Sequence, residues 1–372
     1  MAIFKPTRKI IIKNNKTMIR IVLAITAVAA LAACTKSEVA YEAPAEIGFN
    51  VVAGNMTKAV VDGTTYPTSL NMYVYAKTMD NTTATANYIN NGEFTNKGAV
   101  EGTQVWGGTP NPYYWPNVKT LHFAGYSKAG NVNNGATPAY NCTNDVLTIT
   151  NYNPGTATGA GVNDLMWFPT TELKTPGGYG KNTKFVPVDM YHTCAWITFL
   201  VKGDNVTGGT SPYKVTSLVM SQLDQTADVA CSATISGADV TPTITWTNNT
   251  SKADSYTVPV VAAGITLTQN VQNVETAAVA TTEGNVVVIP QVPGKLALTY
   301  SYTSTAGATI TETVENLDLA LAVDADATDG VAATPWEAGK HYIYTITIKA
   351  NEILIAPTPV DWTDGNFNVT VE

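Results

Sequence analysis

Arginine is almost missing from this chain. Among its 372 residues only Arg8 and Arg20 are arginines, and both precede Cys34. Histidine is scarce too. His122, His192 and His341 lie far apart, and none sits in an HExxH or HxH pattern, which argues against a zinc site. Charged residues make up 13% of the chain, against a usual ~25%. There is no GxSxG elbow for a nucleophilic serine and no GxxxxGK[ST] loop to cradle phosphates. No constellation of acid, base and nucleophile stands out, so the sequence argues against an enzyme and calls for no cofactor. Asp324-Ala-Asp-Ala-Thr-Asp329-Gly330 echoes a calcium loop but lacks the closing Glu of the helix–loop–helix form, and reads as a solvated turn.

Cysteine is limited to four residues. Setting Cys34 aside, Cys142, Cys194 and Cys231 form an odd set without CxxC spacing. Buried free thiols fit it better than a disulfide framework, and one disulfide outside the cytoplasm stays open. No segment after Cys34 reaches the ~20 apolar residues of a membrane-spanning helix, and none sustains a 3.6-residue apolar period.

What is present begins with a leader. Lys5, Arg8, Lys9, Lys13, Lys16 and Arg20 form a positive region, and the apolar run Ile21–Ala33 follows. A basic start, a short apolar run and small residues at the cut mark an exported precursor. Leu31-Ala-Ala-Cys34 is a lipoprotein cleavage box: the signal covers residues 1–33, the cut follows Ala33, and the Cys34 thiol carries the lipid. Met1 and Met18 both remain candidate starts. Six of the 21 basic residues precede Cys34 and none of the 29 acids does, so the chain from Cys34 carries a net charge of −14. Phosphate binding needs clustered Lys and Arg, so nucleic acid is not an expected partner.

Beyond a polar tether the texture is that of β-sheet, rich in Thr, Asn, Val, Tyr and Gly. Ile47, Phe49, Val51 and Ala53 alternate with Gly48, Asn50 and Val52, which predicts a half-buried first strand. Leu70–Ala76, Leu121–Tyr126, Val146–Thr150, Phe185–Met190, Ala195–Val201, Tyr213–Met220, Val286–Ile289 and Leu296–Tyr302 read as further strands. The clearest alternation is Tyr342, Tyr344, Ile346 and Ile348. Residues 79–112 read as surface turns around short strands. Asp164–Trp167 is short and apolar. Many short strands with turns between them predict an all-β fold of sandwiches or barrels. At ~150 residues per domain the length suggests two domains. The Gly- and Pro-rich stretch Thr175–Thr183 places their boundary near residue 180, giving 34–180 and 181–372. Trp106, Trp115, Trp167, Trp246, Trp336 and Trp362 read either as buried anchors or as a glycan platform. At the C-terminus Phe367, Val369 and Val371 alternate again.

Several of these segments, taken in order, form a pattern. After the lipobox come Ile47-x-Phe49, Thr57-Lys-Ala59, Tyr66-Pro67 and Met72-Tyr-Val-Tyr-Ala76. Tyr114-Trp-Pro116, Leu121-His-Phe-Ala-Gly-Tyr126 and Asp164-Leu-Met166 follow. Then come Val186-Pro-Val188, His192-Thr-Cys-Ala-Trp-Ile-Thr-Phe199, Trp336–Ile348 and Val360-Asp-Trp362. The set resembles the Bacteroidetes-type fimbrillins, pilin-like lipoproteins. The resemblance implies two tandem transthyretin-like Greek-key β-sandwich domains and a lipidated precursor carried to the outer membrane and cell surface. It implies removal of the leading segment, about 46–58, and refilling of the vacated groove by a strand from another fimbrial subunit. Known members are trimmed after arginine. None remains here, and Lys58-Ala59 is the candidate bond in its place. Residues 363–372, through Phe367, Val369 and Val371, either supply the donor strand or form the last intramolecular one. The implied role is a fimbrial subunit in adhesion and biofilm. The alternative is a monomeric surface lipoprotein that binds a glycan or a host ligand.

Overall fold

The computed structural model describes residues 44–52, 66–127, 136–154, 164–203, 211–236, 239–248, 252, 254–277, 286–319, 335–349 and 353–361. The strands all lie within the compact unit formed by residues 46–372. In chain order the first are β1 (Gly48–Val52), β2 (Met72–Thr78), β3 (Ile89–Val100), β4 (Thr103–Gly108), β5 (Leu121–Ser127), β6 (Thr137–Asn141), β7 (Val146–Tyr152), β8 (Met166–Phe168), β9 (Val186–Asp189) and β10 (Tyr191–His192). There follow β11 (Ala195–Gly203), β12 (Tyr213–Leu223), β13 (Ala227–Ser236), β14 (Asp239–Asn248), β15 (Asp254–Val258), β16 (Ile265–Thr266), β17 (Gln272–Asn273), β18 (Val286–Val288), β19 (Lys295–Thr303), β20 (Thr309–Asp318), β21 (Lys340–Ile348) and β22 (Ile353–Asp361). Among the described residues there is no α-helix, only one 3₁₀ turn at Thr171–Leu173. The fold is all-β, as the alternation predicts.

The first large sheet runs β10-β8-β5-β2-β3-β4-β1-β9. Its two end strands, β9 and β10, are separated in sequence by Met190 alone. Laid flat, seven interstrand gaps would hold them roughly 34 Å apart. A one-residue link spans only about 7 Å. The sheet therefore folds over on itself. Its inner face encloses a core of Ile47, Phe49, Val51, Val74, Phe94, Trp106, Phe123, Phe168 and Val188.

β2 and β5 are buried along their whole length because both faces are covered. Met72, Val74 and Ala76 point into this first core. Tyr73 and Tyr75 point the other way, with Ala124, Tyr126 and Trp167, against Leu147, Ile149, Val229 and Cys231 of the four-stranded sheet β14-β13-β7-β6. Gly125 lies where no side chain fits: a Cβ there would stand 2.4 Å from the Tyr73 carbonyl and 2.5 Å from the Phe168 ring.

The remaining core lies between two five-stranded sheets. One runs β17-β11-β21-β22 with β18 also on β11; the other runs β15-β12-β19-β20 with β16 also on β12. Ile197, Phe199, Val201, Leu218, Met220, Leu296, Leu298, Trp336 and Tyr344 fill it. β11 and β21 pair in parallel from Trp196↔His341 to Gly203↔Ile348. Of the alternating set Tyr342, Tyr344, Ile346 and Ile348, the last three are buried and Tyr342 is half-buried against the same core.

The stretch 79–112 departs from the turn-rich expectation. It holds the twelve-residue β3 and the six-residue β4. Few apolar side chains mark β3, because only Ile89, Gly92 and Phe94 are buried, and its other positions are mostly polar, with Ala99 and Val100 exposed at the end. The β13–β14 hairpin and β20 escaped notice for a related reason: much of their length faces solvent. Strands on both sides of residue 180 share sheets, since β1 pairs β9 and β7 pairs β13. Tyr179, within the Gly- and Pro-rich stretch, exchanges two backbone hydrogen bonds with Leu121.

Candidate assembly site around the first strand

β1 is an interior strand. It runs antiparallel to β4, with Phe49 opposite Trp106, and parallel to β9, from Phe49↔Val186 to Val52↔Asp189. Just before it, the Ile47 amide donates to the Tyr113 carbonyl at 2.8 Å, and Glu46 bridges to Tyr114. The period-two pattern sends Ile47, Phe49 and Val51 inward, each at most 4% exposed. Phe49 sits edge-on to Phe94 at 5.0 Å and to Phe123 at 5.1 Å, with Phe168 tilted at 6.3 Å. Gly48 faces the other side, where a Cβ would come within 3.1 Å of the Phe185 and Val105 side chains. Burial of Ile47, Phe49 and Val51 is worth roughly 5–9 kcal/mol before ordering costs. A chain without β1 would expose this core and two unpaired edges, β4 and β9, a template for any extended segment.

The residues on which the sequence reading placed processing lie outside the described residues: Ala33 and Cys34 at the lipid cut, Lys58 and Ala59 at the candidate cleavage, and Phe367, Val369 and Val371 in the tail. β1 precedes the segment that carries Lys58, and β22, an end strand of its sheet, precedes the tail.

The histidines occupy three different settings. His341 stacks on Trp196 at 3.6 Å, and its Nε2 lies 2.9 Å from the Thr198 hydroxyl. Burial pulls its pKa down to about 3. His122 is buried and is also held below its ordinary value, first by burial. His192 pairs through Nδ1 with the Asp164 carboxylate, both side chains being almost wholly buried. Burial holds the Asp164 carboxyl above the usual carboxylate range. The sequence reading missed this pair; an acid within the apolar run Asp164–Trp167 was the available signal. Among the described residues no group of three or more His, Cys, Asp or Glu could hold a metal ion.

Lys77 is a further buried ionisable side chain. It reaches Asp145 at 2.7 Å, Glu172 at 2.8 Å and the Cys142 carbonyl at 3.1 Å, tying β2 to the β6–β7 region and the 3₁₀ turn. Burial pulls its pKa down, and the bonds to the two carboxylates more than reverse this. Cys142, Cys194 and Cys231 are free and buried. Burial pushes the Cys142 thiol up to about 11 and the other two higher. Trp106, Trp115, Trp167 and Trp336 are core anchors, at most 5% exposed, and Trp246 is half-buried with its Nε1 donating to the Thr193 carbonyl at 2.7 Å. Trp362 lies outside the described residues.

Comparison with known proteins agrees with this architecture. A fimbrial protein from Bacteroides vulgatus ATCC 8482 is 17% identical over 86% of this chain and 100% of its own, with a TM-score of 0.54, a likeness of fold. The tip fimbrial protein Mfa3 from Porphyromonas gingivalis, solved with a C-terminal truncation, is 10% identical over 86% of this chain and 100% of its own, with a TM-score of 0.34. A comparison with curated proteins finds no match. The model of the fimbrillin-like family matches residues 57–362. The chain therefore belongs to the fimbrillin-like family.

Proposed function

We propose that this chain is a structural subunit of a cell-surface fimbrium, made as a lipoprotein precursor and assembled by strand exchange. Family membership supports a fimbrial or adhesin-like, non-enzymatic role at the cell surface. The finer reading is that signal cleavage after Ala33 leaves Cys34 acylated and anchored to the outer membrane. Cutting at Lys58-Ala59 then frees the segment that carries β1. Another subunit, a copy or a cousin, refills the slot with residues 363–372, placing Phe367, Val369 and Val371 where Ile47, Phe49 and Val51 had been. The resulting fibre supports adhesion and biofilm formation. The two-domain division, 34–180 and 181–372, belongs to the same proposal.

One observation carries the reading: the first strand lies between β4 and β9 as an interior strand. An edge strand would leave one open edge when lost; this one leaves two facing edges and a vacant Phe49 pocket. An incoming strand regains main-chain hydrogen bonds on both sides and seats alternate side chains, the mode of donor-strand recognition.

Two measurements test it. Electron microscopy of purified surface material should show fibres from the full chain and shortened or absent fibres when residues 363–372 are deleted; unchanged fibres reject the donor role. N-terminal sequencing of shed fibres should begin at Ala59. A start at Cys34 would reject the cleavage.

A further inference from the structure

Where the two ends of the folded-over sheet come back together, a cavity of about 220 Å³ opens to solvent between β8, β9, β10 and the 3₁₀ turn. That is smaller than the ~300–1,000 Å³ of sites for drug-sized ligands. Phe168, Thr170, Lys174, Tyr179, Asp189 and Tyr191 line it. Each polar wall is held. Tyr179 is pinned by its two backbone bonds to Leu121, and its hydroxyl accepts from Thr175 Oγ1 at 3.0 Å. Tyr191 pairs with Trp167 across β10 and β8, its ring tilted against the indole at 6.4 Å. Lys174 Nζ lies 2.5 Å from Asp189 Oδ2, and both side chains keep solvent access, at 52% and 31%.

We propose that this cavity binds one neutral pyranose ring of a glycan. The chemistry of the lining selects that class. Two tyrosine rings offer flat apolar surface to the C–H face of a sugar, with phenolic hydroxyls at their ends. The Tyr191 phenol is protonated at neutral pH and able to donate, and burial raises its pKa further. The Lys174 ammonium donates to a sugar hydroxyl and the Asp189 carboxylate accepts from one. The two charges cancel, so the site carries no net attraction for an anionic sugar. An ion pair this exposed contributes little to stability, which leaves both groups available to a ligand. Among the described residues the tryptophans that could have formed a glycan platform are core anchors or half-buried, so this is a different surface from the one their abundance suggests. The inference goes beyond strand exchange: none of these six residues lies on β1 or in the tail, and Asp189 meets β1 only as the register partner of Val52.

The test is saturation-transfer NMR on the full chain with the methyl glycosides of glucose, galactose, mannose, fucose and N-acetylglucosamine, and with N-acetylneuraminic acid. At least one neutral glycoside should show transfer and a millimolar Kd. Asp189→Asn, which keeps the side-chain shape, and Tyr179→Ala should each weaken that Kd about tenfold or more, with the circular dichroism spectrum unchanged. Should Tyr179→Ala fail to fold, Lys174→Met takes its place with the same expectation. No transfer from any neutral glycoside at millimolar concentration overturns the assignment. So does binding that both variants leave intact, and so does a preference for N-acetylneuraminic acid.

Discussion

The Asp164 carboxylate and the His192 imidazole, 28 positions apart in the chain, meet in the interior with both side chains almost completely withdrawn from water. The contact joins the residue that leads into β8 to the second residue of β10, alongside the pairing of Tyr191 with Trp167. Thr193 adds a hydroxyl donated to the Leu165 carbonyl at 2.8 Å. The two segments named in the family pattern, Asp164-Leu-Met166 and His192-Thr-Cys-Ala195, are thus halves of one buried polar junction.

Removing one partner leaves the other buried without this bond. His192→Ala and Asp164→Ala should each cost ~3–5 kcal/mol. Replacing both together, Asp164→Leu with His192→Phe, should cost clearly less than the sum of the single losses, because neither buried polar side chain is left without the other. Denaturant unfolding of the four proteins measures this. Single losses below ~1 kcal/mol would show that the pair is solvated or unformed.

His341 makes stability depend on pH. Its folded pKa near 3 lies below the ordinary 6.5. Between these values the unfolded chain binds a proton that the folded chain refuses. This contribution is therefore fully present above about pH 6.5 and is lost as pH falls toward 3. At about pH 5 the loss is ~2 kcal/mol. His341→Gln, which retains a hydrogen-bonding partner for the Thr198 hydroxyl, should show a smaller fall in stability between pH 7 and pH 5 than the parent chain, in parallel thermal or denaturant unfolding. Equal slopes would dismiss His341 as the titrating group.

The ring cluster around β1 should be intolerant of gaps and of additions. Phe49→Ala empties the space among Phe94, Phe123 and Phe168, and should cost ~3–5 kcal/mol in the uncleaved chain. Gly125→Ala acts in the opposite sense, driving a methyl into the Tyr73 carbonyl and the Phe168 ring. Its expected cost is ~1–3 kcal/mol or more, as in other overpacked cores. A neutral Gly125→Ala would contradict the close approach of β2, β5 and β8.

The three thiols beyond Cys34 should be inert in the folded protein. Reaction requires an accessible thiolate, and Cys142, Cys194 and Cys231 are buried with raised pKa values. Iodoacetamide at neutral pH should modify none of them in the native state and all three in guanidinium, read by peptide mass spectrometry. Native labelling of Cys194 or Cys231 would mean that the sheet packing around β13 opens.

Strands whose inner face is aliphatic or aromatic were legible in the sequence. β1, β2, β5, β11, β19 and β21 all carry the period-two signal or a continuous apolar run. β3 was not, because two glycines and six polar residues hold most of its positions. The first strand was recognisable as a strand, but its place between β4 and β9 was not. The tryptophans were visible as a set, and only the fold separates core anchors from surface. The cavity had no local signature: Phe168, Thr170, Lys174 and Tyr179 meet Asp189 and Tyr191 only when the sheet folds over.

By itself the sequence determined the acidic balance and the all-β class, since these depend on composition and on nearest-neighbour alternation along the chain. Tertiary structure alone decided which strand became interior, which charges were buried in pairs and where the sheet's ends met. Those outcomes depend on partners tens to hundreds of residues away, and the spacing of side chains along one strand carries no information about the neighbour it will find.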